Sequence, residues 1–213
     1  MLRHRLAKRP LPGVVIAIAL ALCCLATDTW ARDPGAEPGP WTFRTRAVVS
    51  GDSQDSDPAG YVAYSGVALE AGLTRRVARL FAVEFNLHTE SREIDREVAS
   101  GPDVRLGSLE VLPVALTFQF RPRSGGRIHP YLGLGAAVSF TWEKSGALDS
   151  LDVETHVGPA VQLGVDYDLG SAAVLNLDLR WNTFTAKIDD DGERLAEIQI
   201  DPLTLGIGVG FHF

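Results

Sequence analysis

The sequence predicts an all-β protein, an eight-stranded antiparallel up-and-down transmembrane β-barrel. Beyond residue 31, apolar and polar residues alternate with a period of two, which is typical of β-strands. The connections between these segments are short and long in turn, as in outer-membrane barrels with short periplasmic turns and longer extracellular loops. With 213 residues, of which 46% are hydrophobic and 22% charged, the chain suits one folded domain rather than a disordered chain or a helical bundle.

The first 31 residues predict a cleaved secretory signal peptide. Four basic residues up to Arg9 precede an apolar run, Gly13–Ala26, and a small-x-small sequence ends at Ala31. The apolar run has about 14 residues, whereas a spanning helix needs ~20. Both cysteines, Cys23 and Cys24, lie within this segment. We therefore expect no disulfide in the mature chain.

Residues 32–40 contain three prolines and no apolar period, and they predict an extended periplasmic lead-in to a barrel that spans 41–213. The chain after residue 31 holds 16 basic and 26 acidic residues, a net charge of −10. This acidic excess disfavours nucleic acid as a partner, because a phosphate-binding protein needs a basic surface. The export signal predicts a location outside the cytoplasm, and with the barrel pattern it predicts the cell outer membrane.

The alternation predicts eight strands, at residues 41–50, 66–74, 79–88, 108–121, 130–142, 155–168, 173–184 and 197–213. Three connections are short, at about 75–78, 123–127 and 170–171. The other four are rich in Asp, Glu, Ser and Gly and are predicted to be long extracellular loops, at 51–65, 89–107, 143–154 and 185–196.

Each predicted strand has one face of large apolar residues and another of glycine and small or polar residues. In the fifth strand, for example, Leu132, Leu134 and Phe140 alternate with Gly133 and Gly135. A small barrel in a membrane needs this arrangement, with the large residues outward around a filled lumen. The soluble alternative is a secreted lipocalin-like barrel, in which the large residues would face inward around a ligand.

The end of the chain favours the membrane barrel over the soluble one. Val209, Phe211 and Phe213 alternate with small or polar residues, and the chain stops on an aromatic residue. This pattern resembles the signal that the outer-membrane barrel assembly machinery reads. We therefore expect that machinery as a partner, together with outer-membrane lipid and lipopolysaccharide around the folded barrel.

The inward face of the predicted barrel carries charges of both signs along its lower and middle parts. Unpaired charges in a narrow lumen are costly, so these residues are predicted to pair into a polar plug. The plug residues are Arg44, Arg46, Glu70, Glu84, Arg121, Asp166, Asp178 and Arg180. Gln119, Gln162 and Asn176 share the same face.

Towards the extracellular end, the predicted inward positions become apolar. An apolar cup above a polar plug is what the admission of a hydrophobic solute would require. The predicted cup consists of Val48, Leu109, Val111, Pro113, Phe184, Ile198 and Ile200. Asp201 and Pro202 shift the alternation of the last strand, which predicts a β-bulge there.

Five segments of the second half resemble the OmpW family of small outer-membrane proteins, and their order and spacing match along roughly 41–213. The segments are Leu112–Val114, His129–Gly135, Gly158–Tyr167, Asp201–Leu203 and Gly206–Phe213. The resemblance implies an eight-stranded barrel whose lumen is a narrow apolar channel. Small hydrophobic molecules would enter it passively and leave sideways through the wall. Lateral gate residues do not transfer, since Arg180 and Asn182 stand inward near the family's gate.

No motif in the sequence predicts a metal, a cofactor or a catalytic residue. A calcium loop containing Asp189–Gly192 would begin at Lys187 and end at Ile198, where carboxylates are required. The histidines after residue 31 lack metal-ligand spacing. His88 and His156 would lie near the barrel mouth, where a lipid hydrolase would also need a nucleophile such as Ser139. No nucleophile motif accompanies them, so we expect no enzyme.

Three functional hypotheses follow. The first, which the apolar cup favours, is passive uptake of small hydrophobic molecules. The second is a structural or adhesive barrel that is plugged throughout and acts through its acidic loops. The third is a barrel-embedded enzyme that acts on lipid A or acyl chains. A wide water-filled pore is excluded, because side chains fill the interior of an eight-stranded barrel.

Overall fold

The computed structural model describes residues 39–50, 61–65, 67–96, 104–122, 125–146, 152–154, 157–190, 193–200 and 203–213. The strands in these ranges are β1 (Trp41–Ser50), β2 (Tyr61–Ser65), β3 (Val67–Ala78), β4 (Phe81–His88), β5 (Glu90–Arg96), β6 (Val104–Phe120), β7 (Ile128–Lys144), β8 (Asp152–Glu154), β9 (Val157–Asp168), β10 (Ala173–Asn182), β11 (Phe184–Asp190), β12 (Glu193–Ile200) and β13 (Leu203–His212). The predicted signal peptide and most of the lead-in lie outside the described residues and stay predictions. Among the residues described, no helix is long and apolar enough to cross a bilayer.

Eight of these strands close into an antiparallel barrel, in the order β1, β3, β4, β6, β7, β9, β10 and β13. Neighbours in the barrel are also successive along the chain, and β13 pairs back onto β1, with Thr45 opposite Val209. We call the β1–β13 pairing the seam. Closure leaves no free sheet edge in the barrel wall. The predicted eight-stranded up-and-down barrel is thereby confirmed.

Two of the predicted extracellular loops are instead largely β-structure. In the segment 89–107, β5 pairs with β2 and with the outer part of β6. In the segment 185–196, β11 pairs with β12 and β8 in a separate three-stranded sheet. Their polarity misled the prediction, because an antiparallel hairpin needs only cross-strand pairing and can carry polar residues on both faces. The predicted bulge at Asp201–Pro202 lies outside the described residues.

Side chains alternate across the barrel wall, although Phe43 and Ala71, which have outward parity, are also buried. In β10, Asn176, Asp178 and Arg180 are buried inside, whereas Leu177 and Leu179 are exposed on the outer surface. The same alternation holds along the described part of β13. Since the large apolar residues face outward, the lipocalin-like alternative is wrong.

Strand pairing is interrupted on both sides of β6 near Pro113. The pairing of β4 with β6 ends at Leu87–Val114, and the pairing of β5 with β6 begins at Glu90–Val111. Proline has no N–H to donate to a neighbouring strand. On the other side of β6, the register with β7 shifts between Glu110 and Val111. This region lies immediately above the middle of the barrel.

Candidate functional site: the barrel lumen

Two arginines of β1 stand at the centre of the lumen. Arg46 Nη1 donates to Glu70 Oε1 at 2.7 Å, and Arg46 Nη2 donates to Glu84 Oε1 at 2.6 Å. Arg44 Nη2 donates to Asp166 Oδ2 at 2.6 Å, and its Nη1 also bonds the Thr74 hydroxyl. Because successive inward positions of a strand are two residues apart, β1 places both guanidinium groups in the lumen, one above the other.

Arg180 and Arg121 extend this network upward and downward. Arg180 Nη1 donates to Glu70 Oε2 at 2.7 Å, and its Nη2 donates to Asp178 Oδ1 at 2.9 Å. Arg121, at the lower end, is bonded to Asp166. All eight residues of the predicted plug therefore lie in one ion-pair network of four arginines and four carboxylates, with balanced charge.

Tyr131 of β7 is a plug residue that the sequence analysis missed. Its hydroxyl donates to Asp178 Oδ2 at 2.7 Å and accepts from Asn176 Nδ2 at 3.0 Å. Its ring occupies the space beside Gly164 of β9, where an added Cβ would lie 2.3 Å from the ring. The alternation along β7 could have placed Tyr131 in the lumen, because this residue has the same inward parity as Gly133. The glycine on the adjacent strand makes the room for the ring.

Two glutamines complete the plug on the side of β6 and β9. Gln162 Nε2 donates to Asp178 Oδ2 at 2.7 Å and to Glu84 Oε2 at 3.1 Å, and the Gln119 amide also bonds Glu84. Both side chains are fully buried. With the charged groups, they fill the middle of the lumen among the described residues.

Among the described residues, the extracellular mouth combines apolar side chains of the predicted cup with polar ones. Val48 and Val111 face inward with 2% and 4% of their surface exposed, and Pro113 is half-buried. Buried polar side chains lie on the same inward face at this end, namely Ser50, His88, Glu90, Ser139, Asn182 and Thr204. The prediction missed Glu90 because it assigned that residue to a loop. The side chains of the other predicted cup residues, Leu109, Phe184, Ile198 and Ile200, lie outside the described part.

His88 is held between two carboxylates at this mouth. Its Nδ1 lies 3.5 Å from Glu70 Oε2, and its Nε2 lies 3.6 Å from Glu90 Oε2. Ser139 is buried on the same face, but its Oγ makes no hydrogen bond with any described residue. The nucleophile-to-base bond of a hydrolase is therefore not formed between the described groups. His156, the other histidine considered for this role, lies outside them.

In the described part of the chain, no group of three or more His, Cys, Asp or Glu side chains is placed to hold a metal ion. Asp189 and Asp190, the described acidic residues of the rejected calcium loop, belong to β11. Asp191 and Gly192 lie beyond the described ranges.

The predicted assembly signal lies on the outer surface at the seam. Val209 and Phe213 are exposed, and Phe211 is half-buried. Phe213 N donates to Trp41 O at 3.0 Å, and Trp41 N donates to Phe213 O at 3.2 Å. The terminal residue thus forms the last rung between β13 and β1. Recognition by the assembly machinery stays a prediction.

Comparison with known proteins places this geometry among outer-membrane barrels. A family model described as the OmpW family matches residues 46–213. The chain is 33% identical over 115 residues to the outer membrane protein AlkL of Ectopseudomonas oleovorans, a match that covers 51% of this chain and 49% of AlkL. It is 26% identical over 213 residues to the dibenzothiophene metabolism operon protein DoxH of Pseudomonas sp. strain C18, which covers 93% and 98% of the two chains.

The crystal structure of the outer membrane protein OprG from Pseudomonas aeruginosa has the same fold. It superposes with a TM-score of 0.66 at 22% sequence identity, covering 85% of this chain and 99% of OprG.

Proposed function

Because this chain belongs to the OmpW family of outer-membrane barrels, we propose that it admits small hydrophobic molecules passively into the outer membrane. They would enter at the extracellular mouth, past Val48 and Val111, and leave sideways through the barrel wall above the plug. The name of one relative supports a role with apolar compounds. DoxH is named for a dibenzothiophene metabolism operon, and dibenzothiophene is an apolar aromatic molecule.

The closed plug is the observation that carries this proposal. Arg46, Glu70, Glu84 and Gln162 are each at most 2% exposed and are joined by hydrogen bonds across the lumen. A solute that reaches the plug can go no further along the barrel axis without breaking several buried ion pairs. An apolar solute also makes no favourable contacts with such a polar surface. Its favourable path is outward into lipid.

The irregular wall around Pro113 supports a location for the exit. Continuing the register from Glu90–Val111 places Thr89 opposite Leu112 and His88 opposite Pro113. The described strands form no ladder pair at these two positions. Nearby, the buried inward residues of β6, β7 and β9 are small, namely Ala115, Ala137 and Ala160. A local separation of strands costs least where few bonds and little packing are lost.

A disulfide across this interval should block uptake. Thr89 and Leu112 both have outward parity, so Thr89→Cys with Leu112→Cys can form a bridge between directly opposite residues. In liposomes that contain the refolded protein, we expect the oxidised variant to take up a labelled apolar solute no faster than protein-free liposomes. Reduction should restore the rate of the parent protein.

A matched bridge at the level of the plug serves as the control. Val83 and Phe118 are opposite each other in the same pair of strands and face outward. Oxidised Val83→Cys with Phe118→Cys should leave uptake unchanged, since no solute leaves there. Full uptake by the oxidised Thr89–Leu112 variant would place the exit elsewhere.

A charge in the mouth should also reduce uptake. Leu109→Asp with Val111→Asp replaces two residues of the predicted cup by carboxylates, and an apolar solute that meets an ionised group instead of a methyl surface loses about 1.4 kcal/mol or more, roughly tenfold in rate. The conservative pair Leu109→Ala with Val111→Ala should retain most of the uptake. If the parent protein is no faster than protein-free liposomes, passive uptake is refuted and the plugged structural or adhesive barrel becomes the better account.

We further propose that the protein is not an enzyme, and that its partners include lipopolysaccharide and the barrel assembly machinery. The proposal that the protein is not an enzyme is supported by Ser139, whose hydroxyl has no hydrogen bond to a base among the described residues. The assembly partner is supported by the outward aromatic end of β13.

A further inference from the structure

Two of the short turns at one end of the barrel are rich in arginine. This end carries both Trp41 and Phe213, and short turns mark the periplasmic end of outer-membrane barrels. Residues 75–80 and 121–128 contain six arginines and no acidic residue, although the whole chain has a net charge of −7. Positive charge is thus concentrated at the periplasmic end of an acidic protein.

Four of these arginines are exposed in the structure, and we call them the arginine rim: Arg75, Arg76, Arg79 and Arg127. Arg76 N donates to Pro40 O at 2.7 Å, and the carbonyl of Leu80 accepts from Arg121 N at 2.8 Å, so the first turn is fixed to its neighbours. Within the described ranges, Arg76, Arg79 and Arg127 form no ion pair with a carboxylate. Within these ranges, no carboxylate neutralises the three charges.

An aromatic cluster on the outer wall lies next to the rim. Phe81 follows the Arg79–Leu80 turn directly, and its ring lies 5.2 Å from that of Phe118 and 5.7 Å from that of Phe120, between centroids. All three rings are exposed on the outer surface. Arg75 stacks on Trp41, with its guanidinium carbon 5.1 Å from the ring centroid. Aromatic belts of this kind mark the boundary between hydrocarbon and headgroups.

We propose that the arginine rim and the aromatic cluster together bind anionic phospholipids of the periplasmic leaflet. The rim lies just beyond the aromatic boundary, at the depth of the lipid phosphates. Arginine binds phosphate through paired N–H donors. In a zwitterionic lipid, the ammonium group of the headgroup neutralises the phosphate. In an anionic lipid the phosphate charge is not neutralised within the lipid, so it can pair with an arginine of the protein. An acidic soluble protein could bind the arginines, but it could not contact the aromatic rings, which lie at the depth of the hydrocarbon. A lipid is therefore the favoured ligand.

Trp41 can report on lipids at this end alone. Trp142→Phe with Trp181→Phe leaves it as the single tryptophan after residue 31. Two preparations of phosphatidylcholine vesicles are compared, one with brominated phosphatidylglycerol and one with the same fraction of brominated phosphatidylcholine. Bromine quenches the fluorescence of Trp41 when the brominated lipid is adjacent. Each arginine near an anionic surface contributes about fivefold in binding. We therefore expect phosphatidylglycerol to be preferred by about fivefold or more, and high salt to weaken this preference.

Arg76→Gln, Arg79→Gln and Arg127→Gln, combined in the Trp41 reporter, should sharply reduce the preference. Arg75 is kept because it contacts the reporter. The control is Arg92→Gln, Arg96→Gln and Arg105→Gln, which removes the same charge at the extracellular end and should keep the preference. Equal quenching by the two lipids in the parent reporter, or an undiminished preference in the rim variant, would overturn the proposal. Equal quenching together with binding of soluble polyglutamate would assign the rim to an acidic protein instead.

Discussion

Replacing Arg46 with methionine is expected to destabilise the barrel by about 3–5 kcal/mol, because two buried carboxylates each lose an arginine partner. Arg46 bonds Glu70, Glu84 and Asn176, and both glutamates are almost completely buried. Methionine has a similar length but no donor. The measurement is the free energy of unfolding in urea of the protein in vesicles. Unfolding is followed by tryptophan fluorescence and by the heat-dependent electrophoretic mobility of the barrel.

Two further variants separate charge from packing. Arg127→Met removes an exposed arginine and should change stability by less than about 0.5 kcal/mol. Arg46→Met with Glu84→Gln removes one buried charge of each sign, so it should recover part of the loss. A neutral effect of Arg46→Met, or no recovery in the double variant, would show that water rather than Arg46 stabilises the lumen carboxylates.

The second large effect is expected for Gly208→Ala, at the seam. A Cβ at Gly208 would lie 1.9 Å from the Thr45 carbonyl oxygen and 2.7 Å from the Arg46 Cα, both of them backbone atoms of β1. Backbone cannot move aside without separating β1 from β13. We expect a loss of about 3 kcal/mol or more, and a refolded fraction far below that of the parent protein.

Gly206 provides the matched control, two residues away on the same strand. A Cβ there would meet the Arg46 Cδ and the Val48 Cγ1 at 3.2 Å each, which are side-chain atoms able to shift. Gly126→Ala, in a turn with no atom within 4 Å of the added Cβ, should be nearly neutral. Equal folding of the Gly208 and Gly206 variants would contradict the steric explanation. Heat-dependent electrophoretic mobility again measures the fraction of the protein that has folded into a closed barrel.

Much of the barrel could be predicted from its alternation. The predicted first strand, 41–50, coincides with β1, and the inward residues of β10 follow from parity alone. A period of two determines which face a side chain takes. It does not determine which residues of different strands lie at one height, because that depends on the stagger of the closed sheet. The partners of Arg46 on β3, β4 and β10 therefore required the structure.

The mouth was harder to predict for a related reason. Parity near a strand end depends on where pairing stops, and the extracellular hairpins continue pairing well beyond the predicted ends. Glu90, for example, belongs to β5 and is buried, although its polar neighbours predicted a loop. Polarity marks the end of the membrane, whereas strand pairing extends past it.

The position of both central arginines on β1 has a consequence for how the barrel folds. Their acidic partners lie on β3 and β4 on one side of the seam, and on β9 on the other. Before β1 meets β13, the carboxylates of the later strands have no guanidinium from β1 beside them. The last step of closure therefore also completes the ion-pair network, because it brings Arg44 to Asp166. We expect this coupling to make folding all-or-none, with unfolding rate limited by the reopening of a single strand pair.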